Sequence, residues 1–297
     1  MNPHIEYESL GDPAHPAIVL IMGLGMQMIA WPDSFCQALV ARGFRVIRFD
    51  NRDVGLSGRV PGKKRPNILL AIAAATLHLP VRTAYTLADM ADDTVRLMDQ
   101  LGIARAHIVG ASMGGMIAQV LAAKHPQRVL SLTSIMSTSG NRKLSKPSKA
   151  AGKALLTRPS DPNDKELVIE HLVHAFGVIG SPGYPSTREE LRQRIGRSVR
   201  RAYDPAGVGR QLVAVIASGD RRRQLKEIKA PTLVIHGADD PLVPLAAGRD
   251  TAQHIPGARL EVIPGMGHDF PEALLPRLAA LIADHCDHCQ NAGVVAP

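Results

Sequence analysis

Aromatic side chains are scarce in this 297-residue chain, which holds five phenylalanines, four tyrosines and one tryptophan, or 3% of the sequence. So few ring platforms argue against a surface that stacks nucleobases. No recognised nucleic-acid fold accompanies the net charge of +8, so that charge implies nonspecific adhesion and no specific nucleic-acid partner. Three cysteines exclude a disulfide framework. Cys36 falls in an expected helix after Trp31-Pro32-Asp33-Ser34, where a small buried hydrophobe is the simplest reading. Cys286 and Cys289 sit in His285-Cys286-Asp287-His288-Cys289 and suggest a metal knuckle, yet structural zinc normally draws ligands from two separated elements. Adventitious metal capture or oxidation is expected there, and no functional metal. No apolar run is long enough to span a bilayer, and Met1-Asn2-Pro3-His4-Ile5-Glu6 lacks the basic stretch and apolar core of a signal peptide. A cytoplasmic protein without a transmembrane segment is the expectation.

What the chain does have is a hydrophobic content of 45%, ample for a buried parallel sheet. Apolar runs at Ile18 to Met22, Val46 to Phe49, His107 to Val109, Val129 to Ile135, Thr232 to Ile235 and Leu260 to Ile263 read as buried strands separated by helical composition. That alternation predicts a doubly wound α/β sheet. After the third of these runs comes Gly110-Ala111-Ser112-Met113-Gly114, followed by an expected helix from Met116 to Ala123. Such a strand, turn and helix presents a serine on a sharp, strained bend, where side chains at Gly110 or Gly114 would collide with neighbouring backbone. A serine hydroxyl stays protonated at neutral pH, so it needs a base in reach and that base needs its tautomer fixed. His268, in Pro264-Gly265-Met266-Gly267-His268-Asp269, and a carboxylate in His236-Gly237-Ala238-Asp239-Asp240 both follow strand-like runs. Chemistry alone does not choose between Asp239 and Asp240.

The elbow, Met22-Gly23 with Trp31-Pro32-Asp33, the run from Val46 to Ser57 containing Asp50-Asn51-Arg52-Asp53-Val54-Gly55, and Pro264 to His268 together resemble the α/β-hydrolases, particularly the aclacinomycin methylesterase-like bacterial carboxylesterases. The resemblance runs from end to end. It implies the order serine, acid, histidine, and its register of glycine, two residues, aspartate, two residues and Val-Pro places the acid at Asp240, with Asp239 a turn residue. It also implies oxyanion donors at the amides of Leu24 and Met113. Many members carry His-Gly where this chain has Met22-Gly23, but backbone donors do not require that histidine. The loss of strand rhythm from about Ser137 to Leu225 then corresponds to a helical cap (137–225) inserted between two parts of the core (1–136 and 226–297). Within it, Leu167 to Phe176 is helix-like, and Thr187 to Tyr203 reads as an amphipathic helix. The latter has Leu191, Ile195, Val199 and Tyr203 inward, mostly solvent-facing arginines, and a capping box from Ser186 and Glu189. Asn291 to Pro297 reads as disordered.

These readings converge on a cofactor-independent serine carboxylesterase for small or medium apolar esters, methyl esters of bulky molecules included. Carbon–carbon bond hydrolysis and perhydrolysis use the same residues, and a non-catalytic ligand receptor is a more distant reading. Relatives that open epoxides or remove halides carry aspartate at the elbow, unlike Ser112. The apolar stretch from Asn67 to Leu79 is expected to be a core-packed helix, with an acyl-pocket wall or lid as the functional alternative. Met26, Met28 and Ile29 are pocket candidates, and Trp31 is expected to anchor the loop before the next helix.

Overall fold

The computed structural model describes residues 3–60 and 66–294. In chain order the elements are β1 (Tyr7–Leu10), β2 (Ala17–Ile21), α1 (Asp33–Ala41), β3 (Arg45–Phe49), α2 (Ile68–Thr76), α3 (Leu87–Gln100), β4 (Ala106–Ala111), α4 (Met113–Lys124) and β5 (Val129–Ile135). There follow α5 (Lys149–Leu156), α6 (Lys165–Ile179), α7 (Arg188–Arg201), α8 (Pro205–Ser218), α9 (Arg222–Leu225), β6 (Thr232–Gly237), α10 (Leu245–His254), β7 (Arg259–Ile263) and α11 (Leu275–Val294).

The strands form one seven-stranded sheet in the order β1-β3-β2-β4-β5-β6-β7, parallel except for β1. All six strand-like runs of the sequence are strands, shifted by a residue or two at their ends. The additional β1 is a half-exposed edge strand with no continuous apolar run to announce it. Chain order reverses across the sheet between β2 and β4, which pair with Ile21 opposite Gly110. The loops leaving these two strands therefore diverge at a topological switch point, where doubly wound sheets open a crevice beyond the strands' carboxyl ends. Those loops carry Met22-Gly23-Leu24 and Ser112.

Two apolar layers sandwich the sheet. One joins Val19, Ile21, Ile47 and Ile108 to α3 and α4, and the other joins Ile18, Leu20, Val46 and Val109 to α1 and α11. Cys36 and Cys286 are both fully buried in the second layer, and burial pushes their thiols up to about 11 and about 12 respectively, which makes both poor nucleophiles. Trp31 is also fully buried, stacks on Phe35 with ring centroids 5.4 Å apart, and meets Phe270 in a tilted contact at 4.9 Å. It anchors the loop into α1, as its Trp-Pro context suggested. Cys289 Sγ lies 4.0 Å from His285 Nδ1, and among the described residues no group of three or more candidate ligands is arranged to hold a metal.

Between β5 and β6 the chain builds α5 to α9, and α6 packs on α7 through its own small core of Val168, Ile169, Val173, Leu191, Ile195 and Val199. The arginine-rich helix thus buries the stripe its periodicity predicted. Its capping box lies one residue later than expected, because Thr187 accepts from the Glu190 amide while Glu190 accepts from the Thr187 amide. Its arginines are also less uniformly outward than expected. Arg188, Arg192 and Arg200 pair with Glu166 or Glu170 of α6, Arg201 reaches buried Asp50, and Arg194 lines the central cavity.

Two further expectations fail. The stretch after Asn67 is a helix, but α2 buries only Ala71 and Ala75 and leaves Leu69 and Leu70 outside, so it is not a core helix. Helical backbone continues in α11 to Val294, beyond the expected disorder at Asn291, and residues 295–297 lie outside the described residues.

Candidate active site

Ser112 occupies the turn between β4 and α4 with φ 55° and ψ −118°, a conformation that L-residues adopt only under constraint. The flanking glycines make that turn possible. A Cβ on Gly110 would lie 2.2 Å from the Gly114 carbonyl oxygen, and one on Gly114 would lie 2.0 Å from the Ile21 carbonyl oxygen. Both obstacles are backbone and have no rotamer through which to move aside. The Ser112 amide donates to the Ile135 carbonyl at 2.9 Å, and Ser137 Oγ donates to the Ser112 carbonyl at 2.7 Å, tying the turn to the end of β5.

From the loop after β7, His268 places Nε2 2.9 Å from Ser112 Oγ, while its Nδ1 lies 2.7 Å from Asp240 Oδ2. With the ring proton on Nδ1 and donated to Asp240, Nε2 is free to accept from the serine hydroxyl. The other oxygen of Asp240 accepts the amides of Leu242 and Val243 at 2.9 and 2.8 Å, which fixes the carboxylate plane. Asp239 points elsewhere: it is exposed and accepts the Gly265 amide at 2.8 Å, bracing the histidine loop. Asp240 is therefore the carboxylate brought to His268. His236, buried beneath, lies 3.7 Å from Asp240 Oδ2 and donates through Nε2 to the Val243 carbonyl at 2.7 Å. Burial lowers its pKa and keeps it neutral, leaving Asp240 to a single cationic partner when His268 is protonated.

Gly23 brings the loop after β2 against the serine, since a Cβ there would lie 3.2 Å from Ser112 Cβ. Leu24 follows it, and Met113 opens α4, where the first amides of a helix have no carbonyl one turn back. Both residues line the cavity above Ser112. The loop is held from beneath: Asn51 Nδ2 donates to the Met22 carbonyl at 2.9 Å, Asp50 Oδ1 accepts the Met28 amide at 2.7 Å, and Gln211 Oε1 accepts the Gly25 amide at 2.8 Å. Asp50 also receives Arg201 of α7, and Asp53 receives Arg210 of α8, so the same loop cluster anchors the helical insertion. Burial of Asp50 and Asp53 beside these guanidinium groups explains the Asp50-to-Ser57 motif as scaffolding. Gln211 and the two arginines carried no recognisable signal in the sequence.

The insertion also grips the histidine loop directly. The His268 amide donates to the Ile179 carbonyl at 2.8 Å, Gly183 N–H donates to the Gly265 carbonyl at 2.9 Å, and Ser181 Oγ accepts the Gly267 amide at 2.8 Å while donating to Asp269. Asp269 is buried at the cavity wall, and its desolvation raises the carboxyl pKa despite the Ser181 hydrogen bond.

The cavity over these groups holds about 560 Å³ and is predominantly apolar. Five of the chain's ten methionines face it: Met22, Met26, Met113, Met116 and Met136. Unbranched, polarisable side chains of this kind adapt to irregular apolar shapes. Of the other pocket candidates, Met28 and Ile29 lie outside the lining, and from α2 the cavity receives Ile72, Ala75 and Thr76, whereas Leu69 and Leu70 take no part.

Comparison with known proteins agrees with this arrangement. The sequence profile of the alpha/beta hydrolase fold matches residues 16–272. The chain is 30% identical to the rhodomycin D methylesterase DnrP of Streptomyces peucetius, over 94% of this chain and 93% of that protein. It is 31% identical to the putative carbamate hydrolase RutD of Caulobacter sp. strain K31, over 90% and 91% respectively. Among solved structures, a hydrolase from Pseudomonas aeruginosa PA01 superposes with a TM-score of 0.68 at 27% identity, covering 94% of this chain and 93% of the other. With the sheet, the whole-length similarity and the hydrolase relatives in agreement, the chain belongs to the α/β-hydrolase family and is an enzyme of that family.

Proposed function

We propose that this protein is a serine carboxylesterase that works through an acyl-enzyme, with apolar carboxylic esters as substrates and methyl esters of bulky acids prominent among them. The observation that carries the reading is the hydrogen-bonded chain Ser112, His268, Asp240 at the floor of the methionine-lined cavity. Ser112 attacks the ester carbonyl as His268 Nε2 takes its proton, and Asp240 supports the resulting imidazolium. The developing oxyanion is received by the amides of Leu24 and Met113. His268 then donates its proton to the departing alcohol, and a water that it deprotonates hydrolyses the acyl-enzyme. A cavity of about 560 Å³ is large for a short acyl chain and lies within the range of drug-sized ligands, which favours a bulky acid portion. The methylesterase named for a rhodomycin substrate supports the same preference.

A fluorophosphonate probe followed by peptide mapping tests the nucleophile, and a panel of methyl esters, longer alkyl esters and carbamates tests the substrate class. The expected label falls on Ser112, and Ser112→Ala loses about 10⁴-fold or more of ester turnover while keeping its circular dichroism spectrum. A label confined to another residue, or near-normal turnover in the folded variant, refutes the mechanism. Carbamate turnover exceeding that of every ester would reassign the substrate.

A further inference from the structure

Six of the cavity-lining residues are exposed, namely Ile72, Thr76, Arg142, Lys146, Pro147 and Leu155. All lie on α2 or on the segment from 142 to 155, so the cavity opens between these two elements. Arg142 joins them by donating to the Ala75 carbonyl. Around that opening the surface has an unusual composition. Helix α2 leaves Leu69 and Leu70 79% and 65% exposed, and Leu77 and Leu79 beyond it are 68% and 56% exposed. Helix α5 buries Ala151 and Ala154, and its opposite side carries Lys149, Lys153 and, 71% exposed, Leu156 at helical spacing. Large apolar side chains gathered this way mark an interaction surface.

Charge identifies what covers it. Residues 66–88 contain no Asp or Glu, and residues 137–160 contain six Lys or Arg and no Asp or Glu. Lys143, Lys146, Lys149, Lys153 and Arg158 are all exposed, and among the described residues none of them is in an ion pair. Exposed leucines interleaved with unpaired cations suit the headgroup boundary of an anionic bilayer, where the apolar chains insert and the cations meet lipid phosphates. A second copy of this chain would set the basic segment from 137 to 160 against itself, like charge to like charge.

We infer that α2 and α5 form a docking surface for anionic lipid bilayers, with the active-site cavity opening onto the membrane. No helix among the described residues is long and apolar enough to cross a membrane, so the contact is peripheral. On the esterase reading, an apolar ester dissolved in the bilayer enters the cavity from the lipid side.

Flotation with vesicles of phosphatidylcholine containing 30% phosphatidylglycerol, against phosphatidylcholine alone, tests the surface directly. The full-length protein is expected to float with the anionic vesicles, to remain behind with the neutral ones, and to be released by high salt. K149Q/K153Q removes two cations and is expected to weaken partitioning about 25-fold, at roughly fivefold per cation. L69S/L70S is expected to abolish flotation, and both variants keep their turnover of a water-soluble ester because none of these side chains lines the cavity. Ser112→Ala is expected to float like the parent, so membrane binding and catalysis fail independently. Absence of flotation, or equal binding to neutral vesicles, overturns the inference. A dimer that L69S/L70S dissociates, seen by light scattering without lipid, would reassign the surface to a second copy and overturn it as well.

Discussion

Asp239 and Asp240 are adjacent carboxylates with opposite expected consequences when each is converted to asparagine. Asp240 Oδ2 sits 2.7 Å from His268 Nδ1, and its other oxygen already accepts two amides. In Asp240→Asn the amide oxygen satisfies the Leu242 and Val243 N–H groups, which turns Nδ2, a donor, toward His268 Nδ1. The ring must then carry its proton on Nε2, where it no longer accepts from Ser112. Loss of tautomer control and of the charge opposing the imidazolium together reduce kcat by about 10⁴-fold in a triad of this type, equivalent to about 5.5 kcal/mol of barrier. Asp239 instead accepts one amide, Gly265 N–H, from an exposed position. An asparagine oxygen accepts that bond equally well, so Asp239→Asn is expected within about threefold of the parent, since exposed substitutions of this kind stay within roughly 0.5 kcal/mol. Steady-state kinetics on a methyl ester, with matched circular dichroism and melting curves, supply the comparison. A severe Asp239→Asn with a mild Asp240→Asn would refute the assignment and the tautomer argument together.

Gly114→Ala is expected to destabilise the fold by at least about 3 kcal/mol in urea denaturation, because its Cβ would meet the Ile21 carbonyl at 2.0 Å and backbone has little room to yield; a change below about 1 kcal/mol would show that the elbow relaxes. Ile72→Ala is expected to shift the ester chain-length profile while Leu69→Ala leaves it unchanged, since only Ile72 lines the cavity; identical profiles would remove α2 from the substrate site. Stability is expected to fall as pH drops through the interval from 6.5 to about 4, because burial lowers the His107 pKa to about 4 and the unfolded chain takes up the proton first. That single group contributes about 3 kcal/mol over the interval, and denaturation of His107→Gln at pH 7 and pH 4.5 should show a flatter dependence. Asp269→Asn keeps an acceptor for Ser181 but removes a buried carboxylate beside His268, Ser181 and Arg194. Its raised native pKa costs stability as pH climbs through that pKa, so the variant is expected to melt no lower than the parent at pH 8. Loss of the nearby negative charge is expected to move the acid limb of kcat/KM downward, and an unmoved limb would exclude an electrostatic link to His268.

Much of the fold was legible because buried parallel strands are continuous apolar runs, and each side chain of the candidate site follows one at its carboxyl end. Ser112 follows β4, Asp240 follows β6 and His268 follows β7, so sequence order and strand order together carried the geometry. The edge strand β1 was not legible, since one side faces outward and its pairing with β3 supplies the register. Helix α2 misled for a different reason: nine residues of Ile, Leu, Ala and Thr are equally suited to a core or to an apolar surface, and period alone does not say what lies opposite.

The groups that hold the site together were least legible, and the cause is physical. Gln211 meets the Gly25 amide and the Arg52 carbonyl, Asn51 meets the Met22 carbonyl, and Asp50 meets the Met28 amide. Their partners are backbone atoms, which leave no residue-type signature, or lie more than 150 positions away. Arg201 looked like a member of a solvated basic face and Arg210 stood in no motif, yet each ends on a fully buried aspartate of the loop after β3. A buried carboxylate without its cation is strongly destabilising, so these pairs couple the docking of α7 and α8 to the packing of the loop after β3, whose Asp50 also holds the Met28 amide. The helices between β5 and β6 therefore hold both sides of the candidate site, through Gln211 and Arg201 on the Leu24 side and through Ile179 and Ser181 on the His268 side, which ties the shape of the cavity to the placement of Ser112 and His268.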